Sequence, residues 1–149
     1  MIAENNPGNI RYYPAFKGCV GSTKGFCKFS TLGFGYRAIL TLLTTYYTKY
    51  GLTTIRGIVS RYAPPTENDT QSYINLVSRK TGFAADKVLQ KEDLIFLVPA
   101  IVLQENSIVV SVETVERLIA QANSPSTTIG ISLAGTILAL YLLYKWLAK

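Results

Sequence analysis

Eighteen consecutive residues without a charge, 127–144 (TTIGISLAGTILALYLLY), constrain this 149-residue chain more than any other feature. As a helix the stretch covers roughly 27 Å, and Leu147 beyond it brings the apolar length near the hydrocarbon thickness of a bilayer, about 30 Å. Lys145, Trp146 and Lys149 supply the flank expected at a membrane surface: an amphipathic ring and two ammonium groups that reach water. The pattern predicts one transmembrane helix over residues 127–147, with 148–149 as a short tail. A fully buried core helix is the competing reading, but soluble core helices rarely run this long without a charge. Gly130 and Ala134, like Gly135 and Ala139, stand four apart, a spacing that permits close helix contact in an oligomer or a plain lipid-facing surface.

Residues 1–122 are enough for one domain with a modest core, and 123–126 (NSPS) read as its hinge to the span. Residues 1–9 are polar and lack the apolar run of a secretion signal, so insertion is expected from the C-terminal side or through assembly with other components. Lys145 and Lys149 are a weak bias towards a cytoplasmic C-terminus.

Charge is unevenly placed. Residues 1–64 carry eight cations against the lone carboxylate Glu4, a field that attracts polyanions such as phosphate backbones, anionic lipid headgroups and anionic wall polymers. The cations stand singly among aromatic and apolar residues and form no basic block, which argues against a nucleic-acid partner. The chain has no histidine and two cysteines, so no metal site or cofactor is expected, and the usual base for a serine or cysteine nucleophile is missing. Cys19 and Cys27 flank a glycine-rich turn segment; a hairpin-bridging disulfide and two free thiols are both compatible with the sequence.

Periodicity and caps organise the rest. Short strands are expected at residues 9–13 and 26–30. Apolar spacing predicts a helix over 34–50 closed by Gly51, and a second from a Thr53 or Thr54 cap to Tyr62, stopped by Pro64 and Pro65. A third, capped by Asn68, runs over 69–80 before Gly82. Residues 91–104 hold a ten-residue apolar run with Pro99 inside it, too short to span a bilayer and read as a buried, kinked helix. Ser111 caps a fifth helix over 112–122. The fold class is mainly α, of α+β type: a small helical domain with a minor β-rich N-terminal lobe, plus the C-terminal span.

Two local sequences narrow the function. Residues 5–11, NNPGNIR, and residues 62–70, YAPPTENDT, are joined by Phe16 and Gly18, Phe26 and Phe29, and Gly35, Arg37 and Ala38. Their order and spacing over about residues 5–82 resemble a family of phage virion proteins. That family in turn looks like a shortened relative of lysozyme-like peptidoglycan hydrolases, of the glucosaminidase and goose-type branches. The resemblance implies a lysozyme-like domain that degrades or binds peptidoglycan. It also implies an acid-bearing helix just before the NN turn, where this chain has only residues 1–4.

Glycoside cleavage needs a protonated acid at the leaving oxygen and, in most mechanisms, a second carboxylate nearby. Glu4 and Glu67 are the candidates. Glu4 is the sole acid of the basic N-terminal half, whose cations favour its ionised form and suit it to a base or nucleophile more than to a proton donor. Glu67 lies in the APPTEND turn, where a glutamate also serves simply as a helix N-terminal residue. Asn6, Asn9, Arg11, Tyr13, Phe16, Tyr62 and Asn68 are the candidate substrate contacts, the aromatics by stacking on sugar rings; the asparagines equally suit turns and the aromatics a core. The expected function is therefore a membrane-anchored phage virion protein acting on wall glycan during genome delivery or lysis, either by glycosidase or by lytic transglycosylase chemistry. The alternative is a non-enzymatic protein linking capsid or vertex components to the internal virion membrane.

The full-length chain should float with lipid vesicles, whereas a chain ending at residue 124 should stay in the aqueous fraction. A full-length chain that remains monodisperse in plain buffer and ignores vesicles contradicts the anchor.

Overall fold

The computed structural model describes residues 3–124; the expected span and the second half of its hinge, 125–126, lie outside them. Among the described residues an irregular segment comes first, then a hairpin of β1 (Cys19–Thr23) and β2 (Phe26–Phe29), then five helices: α1 (Leu32–Tyr50), α2 (Ile55–Tyr62), α3 (Thr70–Thr81), α4 (Leu94–Asn106) and α5 (Val112–Asn123). A 3₁₀ turn, Lys91–Asp93, leads into α4. The architecture is mainly helical with one two-stranded antiparallel sheet. No described helix is long and apolar enough to cross a membrane.

Side-chain caps fix most helix starts. Thr31, Thr54, Asp69 and Ser111 each accept a hydrogen bond from the backbone N–H three residues on, satisfying a donor that the first turn leaves free. Gly51 and Gly82 end α1 and α3 in the left-handed conformation, as their positions suggested. Three boundaries differ from expectation. Helix α1 begins at Leu32 because Thr31 caps it, a start hidden by the poor helix formers Gly33 and Gly35. Asp69, rather than Asn68, caps α3. Helix α4 starts at Leu94, after the 3₁₀ turn, rather than at residue 91, and runs through Pro99, which forgoes one intrahelical bond.

The strands differ more. Residues 9–13 form no strand; Arg11 makes a single bridge to Phe26, with Cys27 N–H donating to Ile10 O and Tyr12 N–H to Gly25 O. The second strand of the sheet is instead β1, in the glycine-rich segment expected to be turns. Lys24 and Gly25 both have positive φ, the conformation of a type I′ hairpin, whose twist matches its strands.

Helix α4 is the central element. Leu94, Leu97, Val98, Ala100, Ile101 and Val102 are buried against α1, α3 and α5. Each large aliphatic contributes about 1.5–3 kcal/mol by leaving water. Around it Ile39 and Leu43 of α1, Ile58 and Val59 of α2, Ile74 and Val77 of α3, and Val115 of α5 complete one core.

Two glycines let backbones meet. A Cβ on Gly35 would stand 2.0 Å from the carbonyl oxygen of Asn5, and one on Gly33 would stand 2.2 Å from that of Leu118. The first seats the N-terminal turn on α1; the second seats α5. Gly35→Ala should therefore destabilise the domain by about 1–3 kcal/mol. Gly57→Ala, in α2 with no neighbour nearer than 3.4 Å, should stabilise it by about 0.5–1 kcal/mol. Urea unfolding of the two variants checks both signs.

Candidate functional site

The NNPGNIR segment is a folded turn built by its own asparagines. Asn5 and Asn9 take the left-handed conformation, which asparagine tolerates better than most residues. The Asn6 side chain is 1% exposed: its oxygen accepts from Ile10 N–H at 2.8 Å, and its amide donates to Ile10 O at 2.9 Å and Cys27 O at 2.8 Å. Asn5 donates to Phe29 O at 2.9 Å. The turn is thus tied to β2 and sets the buried Gly8 and half-buried Asn9 against the helices.

The C-terminal end of α4 docks on that turn. Asn106 donates to Pro7 O at 2.7 Å. The preceding residue, Glu105, is half-buried; its Oε2 accepts from the Asn9 amide at 2.8 Å and its Oε1 from the Tyr73 hydroxyl at 3.0 Å. Tyr62 donates to Gly8 O, and its ring meets that of Tyr73 edge to face. Burial, followed by the nearby Glu105 charge, pushes both tyrosine hydroxyls well above their ordinary value. Tyr73 therefore remains a donor to Glu105 across the whole neutral range.

Glu105 opens into a groove of about 810 Å³, within the range of ligand-binding clefts. One wall is the irregular N-terminal segment with Arg11, Tyr12, Tyr13 and Phe16, joined by Phe26 of β2; the other comes from α1 and α2, with Thr41, Thr45, Tyr46 and Arg61; Pro64, Glu67 and Asn68 close one rim. Tyr13 is 59% exposed and packs edge-on against Phe16 at 5.7 Å, so an aromatic face is open to a ligand. Arg61 lies 3.7 Å over the Tyr50 ring and 5.2 Å over that of Tyr46. It has no carboxylate partner among the described residues, so the groove holds an oriented, uncompensated guanidinium.

The structure brings together Asn9, Arg11, Tyr13, Phe16, Tyr62, Glu67 and Asn68 of the residues expected at a site. Glu67 is on the rim, 3.6 Å from Arg11, an exposed pair worth little in stability; Asn68 donates to Pro64 O at 3.4 Å. Asn6 is walled off beneath the turn and can touch no ligand. Glu4 lies outside the groove lining, 3.6 Å from Lys28 on the exposed side of the hairpin.

Glu105, the carboxylate inside the groove, escaped the sequence reading. One local signal existed. An acid in the last turn of a helix opposes the macrodipole, and Glu105 stands in that unfavourable place in the most apolar helix described. Cys19 and Cys27 are free thiols in contact behind the Arg11–Tyr13 wall. The described residues include no cluster of three metal-ligating side chains.

The fold and site define a small helical domain with a β-hairpin and one open, aromatic-walled groove containing a single half-buried carboxylate. Among known proteins the chain is similar to Protein P5 of Pseudoalteromonas phage PM2, 43% identical over 81 residues, which cover 54% of this chain and 51% of that protein. The chain thus matches about half the length of this curated relative, a phage protein. No protein-family profile matches.

The two raised tyrosines set an alkaline limit. Their contribution to stability is fully present below the ordinary tyrosine pKa of about 10 and declines above it, as the unfolded chain releases protons that the folded one retains. Tyrosinate absorbance from Tyr62 and Tyr73 should consequently rise together with loss of helical circular dichroism. Ionisation of both in a chain that stays helical contradicts this burial.

Proposed function

We propose that the chain is a membrane-anchored virion protein of a phage, whose helical domain binds and cleaves the glycan of peptidoglycan with Glu105 as proton donor. The observation that carries this reading is the placement of Glu105: half-buried, facing the groove, and oriented by Asn9 and Tyr73. Those bonds use one position on each oxygen, so the protonated acid keeps another for the O–H that a glycosidic oxygen would accept. A sugar strand along the groove would stack on Tyr13 and Tyr62 and place a glycosidic oxygen at Glu105. Glu67, held by Arg11 on the rim, is the second carboxylate that could activate water; without it, a single acid suffices for the internal attack of a lytic transglycosylase. Arg61 suits the carboxylates of the peptide stems that such a strand carries.

The resemblance to lysozyme-like enzymes supports this in an altered order. There an acid-bearing helix precedes the NN turn. Here α4 follows it and brings Glu105, 96 residues after Asn9, into hydrogen-bond contact with that turn. The similarity to a phage protein supports the phage setting, and the uncharged stretch at 127–144 supports the anchor.

A structural role, linking capsid or vertex partners to the virion membrane, is favoured by one observation. Phe96, Ile108 and Val109 leave apolar surface exposed outside the groove lining.

Release of soluble glycan from purified cell-wall sacculi separates the two. Glu105→Gln should lower the rate at least about 100-fold with the fold retained, Glu67→Gln should lower it less, and Glu4→Gln should leave it unchanged. A parent chain that releases nothing favours the structural role. An active Glu105→Gln chain removes Glu105 from the chemistry.

A further inference from the structure

The sulfur atoms of Cys19 and Cys27 lie 2.8 Å apart on adjacent strands. The register explains the meeting. Ser22 pairs with Cys27 and Gly21 with Lys28, but a bulge at Val20 sets Cys19 opposite Phe29 instead of Ser30. Phe29 shares a face of the strand with Cys27, two residues away, so the bulge turns Cys19 onto the face of Cys27 and makes the two diagonal neighbours. An unbulged hairpin would point Cys19 to the opposite face.

The pair sits directly behind the groove wall. Tyr13 N–H donates to Cys27 Sγ at 3.4 Å, and Cys27 Sγ lies 3.7 Å from the carbonyl oxygens of both Arg11 and Tyr13. Cys27 is fully buried, whereas Cys19 is half-buried and reachable from outside. We propose that Cys19 and Cys27 are a disulfide-forming pair, oxidised by a protein or low-molecular-weight disulfide when the domain leaves a reducing compartment, and that the bridge fixes the aromatic wall of the groove.

The exposures set the order of events. The Cys19 thiolate attacks a sulfur of the donor disulfide, forming a mixed disulfide and expelling one donor thiolate. Cys27 Sγ then attacks Cys19 Sγ; its proton passes to solvent, and the second donor thiolate leaves and takes up a proton. Two protein thiols are oxidised to one bridge, and one donor disulfide is reduced to two thiols. Burial and the hydrogen bond to Cys19 push the Cys27 thiol up to about 11, which keeps it inert until Cys19 presents a disulfide beside it. The bridge also closes a short loop around Gly21 and Gly25, limiting the unfolded chain.

The test is equilibration of the full-length chain, in detergent, with glutathione buffers of rising disulfide fraction, followed by acid quench, denaturing alkylation and intact mass. The proposal expects a monomer lighter by two hydrogen atoms that takes no alkyl group before reduction and two after it. It also expects Tm to fall by roughly 5–10 °C on reduction, with the reduced value reproduced by the Cys19→Ser, Cys27→Ser double variant. In Cys27→Ser the reaction should stop at a mixed disulfide on Cys19. A parent chain that still takes two alkyl groups in excess glutathione disulfide, that stops at the mixed disulfide, or that links to a second copy overturns the proposal. The result is independent of whether the groove cleaves glycan.

Discussion

The seat of α4 on the N-terminal turn is the contact on which the rest depends. Asn106 on Pro7 O and Asn9 on Glu105 join residues nearly a hundred positions apart, so the turn and the last turn of α4 become one rigid unit. The helix is held on its other sides by the apolar core and cannot shift without opening it. The turn is held by Asn6, whose oxygen and amide are both satisfied in the interior; loss of that side chain would leave buried backbone groups unpaired. A hydrophobic core thus positions one end of a polar network, and a self-bonded turn positions the other.

That construction gives the groove its division of labour. The hairpin side contributes exposed aromatic surface and Arg11; the helical side contributes Tyr46 and the stacked Arg61; the floor contributes a carboxylate with hydrogen-bonded oxygens. The excess positive charge of the N-terminal half has a local expression in Arg61, which is oriented by rings and has no acid partner among the described residues. Aromatic walls, an oriented carboxylate and an unpaired guanidinium together suit a polymer of sugars bearing carboxylates better than a nucleic acid, which would call for more cations along the groove.

Most helices were legible because their ends are written locally. Thr54 and Ser111 cap, Gly51 and Gly82 terminate, and Pro64 and Pro65 stop α2, each through a bond or clash with residues a few positions away. The hairpin was less legible. Its first strand carries glycine and a bulge, and its partner segment at residues 9–13 offers a single bridge in place of a ladder. In the site, the groove residues near the NNPGNIR and YAPPTENDT sequences were visible, because those motifs sit at its rim. Glu4 was misleading, since nearness in sequence to the turn does not carry it into the groove. Glu105 was hidden, because only tertiary packing brings the end of α4 to Asn9.

The central claim is that the cleft around Glu105 is a glycan site assembled by this docking. An amide NMR titration of the isotope-labelled protein with a soluble peptidoglycan fragment tests it most directly. The account predicts saturable shifts centred on Asn9, Arg61, Tyr62 and Glu105. Shifts confined to the face of Phe96 and Val109, or none at all with a folded spectrum, would contradict it.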